Sequence, residues 1–143
     1  MIRLEQYFAK PHTKAQEDAA ADLLERRNAL RQEFYAATGR EPDINPNTGS
    51  EISGSRGGDG DGGFRLPSSR TGAQNSSHKE ARGIDDYDPD NAFDTWLDKF
   101  EHGDGDNTML EKHGLHREHP SRTFSWVHLT TRPPGSGRRT FFP

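Results

Sequence analysis

Apolar positions along this chain are sparse, and their spacing changes character from one segment to the next. Between Thr13 and Thr38, Leu23, Leu30 and Phe34, with Ala19 and Ala20 nearby, fall on one face of a 3.6-residue period. The charges fall on the other face, which predicts an amphipathic scaffold helix. Both ends are marked: Thr13 followed by Gln16 is a capping-box signature, and Gly39 is a stop signal. From Arg40 to Gly63 the periodicity gives way to Pro, Asn, Gly, Asp and Ser, which predicts loop, with Glu51-Ile52-Ser53 as a short edge strand. Gly83-Ile84-Asp85 reads as a strand. Phe93, Trp96, Leu97 and Phe100 follow at i, i+3, i+4, i+7 and predict a helix capped by Asp88 or Asp90. That aromatic stripe has the spacing of ordinary helix packing, so it is assigned to the core and not to a sugar-stacking surface. After a polar loop over 104–107 come a short helix around Met109 and Leu110, closed by Gly114, and a strand from Phe124 to Thr130. That strand carries Trp126 and His128 on one face. Together these elements predict an α+β fold, a small antiparallel sheet with helices packed to one side.

The chain has 143 residues, which predicts one domain, with 1–38 as N-terminal scaffold and 39–143 as the functional region. Only 28% of residues are hydrophobic, and the mean hydropathy is −1.11. So polar a chain is short of apolar burial, and a bound metal is expected to help order it. Cysteine is absent, which excludes disulfides and thiolate sites, so any metal must sit on His, Asp or Glu. A formal net charge of −4 argues against nucleic acid as the main partner, and Arg132, Arg138 and Arg139 read as a solvated cluster. No stretch approaches the ~20 apolar residues of a membrane span, and the first residues lack a basic-then-apolar leader. The expectation is a chain made in the cytoplasm without a signal peptide, reaching a cell wall only through export or release.

Three residues carry the candidate chemistry. His78 and Asp85 lie in Ser-Ser-His-Lys-Glu-Ala-Arg-Gly-Ile-Asp (76–85), and His128 lies in Trp-Val-His (126–128). Two imidazoles and a carboxylate suit a borderline divalent cation and leave a fourth position open for water. The pattern S-x-H-x6-D followed by W-x-H, preceded by Ser-Gly-Ser-Arg (53–56), resembles the zinc D-alanyl-D-alanine carboxypeptidase family, which includes D,D-peptidases and phage endolysins. The family usually has H-x-x-G-x-A-x-D, whereas here Ala81 and Gly83 exchange those two small residues.

The resemblance implies one zinc ion per chain on His78, Asp85 and His128, and a peptidoglycan stem peptide as substrate. It also implies Arg56 as the guanidinium facing the substrate carbonyl and the developing negative charge, and Ser76 as a hydrogen-bond partner of the substrate backbone. Arg65, in Gly-Phe-Arg, is a further substrate contact, and the segment from Gly62 to Gln74 is a wall on the substrate side. Active members carry an acid three residues before the second His, where this chain has Ser125. The nearest acids are Glu118 and, further back, Glu111. Glu118, in a loop directed by Pro120, is the candidate general base, with His119 as second candidate. Two functional readings follow: a zinc-dependent carboxypeptidase or cell-wall endopeptidase of phage or prophage lysis, or an inactive, metal-stabilised peptidoglycan-binding or virion structural module.

His113-x2-His116-x2-His119 offers three imidazoles, but Gly114 and Pro120 oppose a continuous helix, so the segment is read as a loop on the cleft rim. Asp59-Gly-Asp61 resembles the start of a calcium loop without its bidentate Glu, and reads as a flexible loop. Asp86 or Asp88 is expected either to orient a ligand imidazole or to be exposed.

Overall fold

The computed structural model describes residues 1–71 and 76–143, so the last part of the expected substrate-side wall, 72–74, lies outside the described residues. After a one-turn helix, α1 (Leu4–Tyr7), comes the long helix α2 (Lys14–Thr38). The ends of α2 are those its sequence marks. Thr13 Oγ1 accepts from the Gln16 N–H at 3.1 Å, and the Gln16 side chain accepts from the Thr13 N–H at 2.8 Å. Gly39 ends the helix in the left-handed region, φ 72°, which only glycine adopts without strain.

The chain then forms β1 (Gly83–Tyr87), α3 (Ala92–Asp98), a hairpin of β2 (Glu101–His102) and β3 (Asp106–Asn107), α4 (Thr108–Lys112), and β4 (His116–Glu118), β5 (Trp126–Thr130) and β6 (Thr140–Phe141). Asp88 accepts from the Phe93 and Asp94 N–H groups, and Asp90 from that of Ala92, so both expected acids satisfy the start of α3. Glu51-Ile52-Ser53 runs beside β1 as an isolated bridge, with the Tyr87 N–H on the Glu51 carbonyl and the Ser53 N–H on that of Asp85.

The main sheet has the order β1-β5-β4-β6. It is mixed, not purely antiparallel. β1, β5 and β4 alternate in direction, but the 131–139 connection brings β6 in antiparallel to β5 and hence parallel to β4. The 113–119 segment also departs from the expected loop, because residues 116–118 form β4. Leu115 and Arg117 point into the core, and the Arg117 and His119 N–H groups bond to the Arg139 and Phe141 carbonyls.

Alternation gives the sheet two unlike faces. Ile84, Val127 and Leu129 turn inward and pack with Leu23, Leu30 and Phe34 of α2 and Phe93 and Leu97 of α3. Within the buried stripe of α2 sit two arginines, Arg27 and Arg31, which the sequence reading placed on the solvent side. Both guanidiniums reach the fully buried Asp86: Arg27 Nε donates at 2.5 Å and Arg31 Nη2 at 2.6 Å. Asp86 therefore belongs to a core ion cluster and neither orients a ligand imidazole nor meets solvent. No helix among the described residues is long and apolar enough to cross a membrane.

Candidate metal centre

The outer face of the sheet brings the three motif residues together. β1 and β5 pair with Asp85 opposite His128, and opposite residues share a face. His78 arrives from the 3-10 turn Ser77–Glu80, where Ser76 Oγ accepts from the His78 N–H at 3.3 Å. Asp85 Oδ1 lies 3.2 Å from His78 Nε2 and 2.9 Å from His128 Nδ1. All three ligand atoms fall within 4.8 Å of one another, a grouping that could hold a metal ion. In a tetrahedral zinc site with bonds of about 2.0–2.1 Å, donor atoms sit about 3.3 Å apart, close to these separations.

Both imidazoles are oriented from outside. His78 Nδ1 is 2.8 Å from the Gly63 carbonyl, to which it must donate, leaving the Nε2 lone pair for the centre. His128 Nε2 is 3.2 Å from Ser77 Oγ, a hydroxyl able to accept from it, and Nδ1 faces Asp85. Burial pushes the Asp85 carboxyl up, but the His78 and His128 imidazoles beside it hold it well below the usual carboxylate range. The exchange of small residues in the first motif has a local cause. A Cβ on Gly83 would stand 2.2 Å from Ser77 Oγ and 3.1 Å from His128 Cε1, so only glycine admits this Ser77–His128 contact.

Ser77 was not singled out from the sequence; its only signal is adjacency to His78. Its removal frees one imidazole to rotate. Ser77→Ala is expected to lower metal affinity by about 10- to 100-fold, measured by chelator competition. Unchanged affinity would reduce Ser77 to packing.

A cleft of about 540 Å³ opens over the centre and is lined by Arg65, Ser76, Glu118, Trp126 and the three motif residues, among others. Arg65 is nearly buried; its Nε donates to the Asp61 carbonyl at 2.7 Å and its Nη2 to Asp85 Oδ2 at 3.3 Å. Glu118 reaches the centre through the sheet. β4 pairs with β5 with Arg117 opposite Leu129, so the next pair sets Glu118 beside His128. Burial and the Asp85 charge push the Glu118 carboxyl up, against the smaller opposing pull of His128 and Arg122.

Arg56 is not brought to the cleft. Its exposed guanidinium donates to the Glu5, Gln6 and Phe8 carbonyls at the end of α1. It anchors the segment that sends Tyr7 Oη to the Gly83 carbonyl at 2.8 Å. Ser125 does not line the cleft either. It sits at φ 75°, with its N–H on Asn91 Oδ1 and its carbonyl accepting from Asp88. The three histidines of the 113–119 segment are dispersed: His113 meets Glu33, His116 the Arg138 carbonyl, and His119 the Ser121 hydroxyl. Asp61 is buried and accepts from the Gly57 and Gly63 N–H groups, so the Asp59-Gly-Asp61 segment is a turn tied by its own backbone. Another cavity of about 540 Å³ lies between α2 and the 41–51 loop, but its guanidiniums are taken by Asp86 and Glu51.

No protein-family model, curated protein or solved structure matches this chain. The centre therefore stands on its geometry and on the short motifs.

Proposed function

We propose that this protein is a zinc-dependent peptidoglycan peptidase acting on the stem peptide, with one zinc ion per chain on His78, Asp85 and His128. One observation carries the reading: two imidazoles with their outer nitrogens tied and a shared carboxylate between them, on the floor of an open cleft beside a second carboxylate. Zinc in such a site supplies a Lewis acid and a bound water of pKa about 7.

The chain's own groups divide the remaining work. Glu118, raised by burial, takes a proton from the attacking water and returns it to the leaving amine. Arg65 replaces Arg56 as the guanidinium of the site, donating to the substrate carbonyl oxygen as negative charge develops there. Ser76 is a hydrogen-bond partner for substrate backbone at the cleft wall. Arg65→Lys is expected to lower kcat/KM by about ten-fold or more, since a point charge cannot copy the guanidinium fork, whereas Arg56→Lys leaves kcat/KM unchanged. The reverse ranking would overturn this assignment.

The purified protein is expected to carry about one zinc per chain by elemental analysis. His78→Ala or Asp85→Ala should abolish stoichiometric metal, while changes at His113, His116 or His119 should not. Stoichiometric zinc that survives loss of His78 would sink the centre. Ser125, at the position where the resemblance places an acid, supports a second reading, a metal-stabilised module that binds peptidoglycan or serves in a virion without cutting. Hydrolysis of intact peptidoglycan and of a free stem peptide ending in D-Ala-D-Ala, assayed on zinc-loaded protein, separates the two: zinc without turnover of either favours the module.

A further inference from the structure

The cleft over the metal centre has two unlike ends. Arg65, Ser76 and Ser77 make one end polar, and Trp126, Phe141 and Phe142 make the other aromatic. Strand register fixes that second end. Side chains alternate along β5, so Trp126 shares the face of His128, about 7 Å along the strand. β6 pairs with β4 with Phe141 beside Glu118, so one line across the sheet reads Asp85, His128, Glu118, Phe141. The next residue, Phe142, is 62% exposed, yet it is braced. Its ring stacks on the His119 imidazole, with centroids 4.4 Å apart and planes 14° from parallel, and the Arg122 guanidinium lies 6.0 Å from its centre. His119 is itself fixed, because Nδ1 accepts from the Ser121 N–H at 3.1 Å and lies 2.8 Å from its hydroxyl.

A ring supported on one face and open on the other is a platform, not a pocket. An aliphatic or aromatic substrate side chain gains most from enclosure, which a ring as exposed as Phe142 does not give. A pyranose gains from a flat apolar surface under its C–H face and polar groups around its hydroxyl rim. Glu118, paired beside Phe141 and lining the cleft, and the Arg122 guanidinium near the Phe142 ring supply such polar groups. Phe124, though 77% exposed, has no such setting and does not line the cleft.

We infer that Trp126, Phe141 and Phe142 form a sugar subsite, which takes the N-acetylated pyranose to which the stem peptide is attached. The inference rests on the peptidase reading for its substrate and adds where that substrate is gripped. A sugar held beside Glu118 puts the scissile bond near the glycan end of the stem, so the protein acts as an endopeptidase on glycan-linked peptide and not on the free D-Ala-D-Ala terminus.

The test compares binding of N-acetylmuramyl-L-alanyl-D-isoglutamine with that of N-acetyl-L-alanyl-D-isoglutamine, which lacks the sugar. Both are titrated into the protein by calorimetry and followed by NMR at the Trp126 indole N–H, with zinc content measured on the same sample. The sugar-bearing probe is expected to bind about ten-fold or more tightly. Phe142→Ala, at an exposed position that spares the fold, should erase the difference without changing zinc affinity. Equal affinities for the two probes, no binding of either, or a preference that survives Phe142→Ala would each overturn the subsite. Failure of the peptidase reading shows separately, as sugar-dependent binding by protein that holds no zinc or cuts nothing.

Discussion

On the peptidase reading, replacing Glu118 by glutamine is expected to lower stem-peptide hydrolysis by about 10²- to 10⁴-fold, with zinc content and melting temperature unchanged. The expectation follows from position and charge together. Among the described residues lining the cleft, Glu118 is the only acid besides Asp85, and Asp85 is committed to two imidazoles and Arg65. Glutamine keeps the shape and the place in β4 but cannot accept a proton. The Ser125 position offers no alternative. A side chain there springs from a left-handed backbone tied to Asn91, outside the cleft. Turnover untouched by Glu118→Gln would end the assignment.

Asp86→Ala is expected to destabilise the fold by about 3–5 kcal/mol, read from denaturant unfolding, because it leaves two buried guanidiniums without their shared counter-ion. Arg27 keeps Glu51 at 2.7 Å, but Arg31 keeps only the Tyr87 carbonyl and its place over the Phe93 ring. An exposed pair supplies the control: Asp22→Ala, which removes the partner of Arg26, should cost under about 1 kcal/mol. The effect also has a pH signature. Burial raises the Asp86 carboxyl, but Arg27 and Arg31 outweigh it and hold the group below its ordinary 3.8. A folded-state value below the unfolded one means stability that is complete above about pH 4 and lost as the pH falls further. The difference between wild type and Asp86→Ala should therefore shrink in acid. A gap that is constant from pH 7 to pH 3 would contradict the ion cluster.

Local signals carried much of this architecture. Thr13, Gln16 and Gly39 bound α2 because capping depends on neighbours three or four residues away. The stripe Phe93, Trp96, Leu97 marks α3 for the same reason, and the spacing of His78 and Asp85 is set by one turn and one strand. What sequence hid was non-local. Arg27 and Arg31 look like the solvent face of α2 until Asp86, more than fifty residues on, is found opposite them. Arg56 and Arg65 lie on one Gly-rich loop, and only its fold-back, with Gly54 bridged to Asp61, decides which one reaches Asp85. β4 is three residues long, too short for alternation to announce it. The Gly63 carbonyl that orients His78 has no sequence signature, since every residue carries one.

Asp85 and Asp86 are adjacent, and alternation along β1 turns one to the cleft and the other to the core. The ion clusters around Asp85 and Asp86 are thus one peptide unit apart, and a shift of one strains the other. Such a strand is a lever between ligand and fold. If zinc is the ion held there, zinc at about 1,000 times its dissociation constant would add about 4 kcal/mol to the folded state, comparable to what Asp86→Ala removes. Metal and arginine cluster are therefore interchangeable sources of order: a chain stripped of Asp86 should fold in excess zinc and unfold in chelator, making its folded fraction a gauge of free metal.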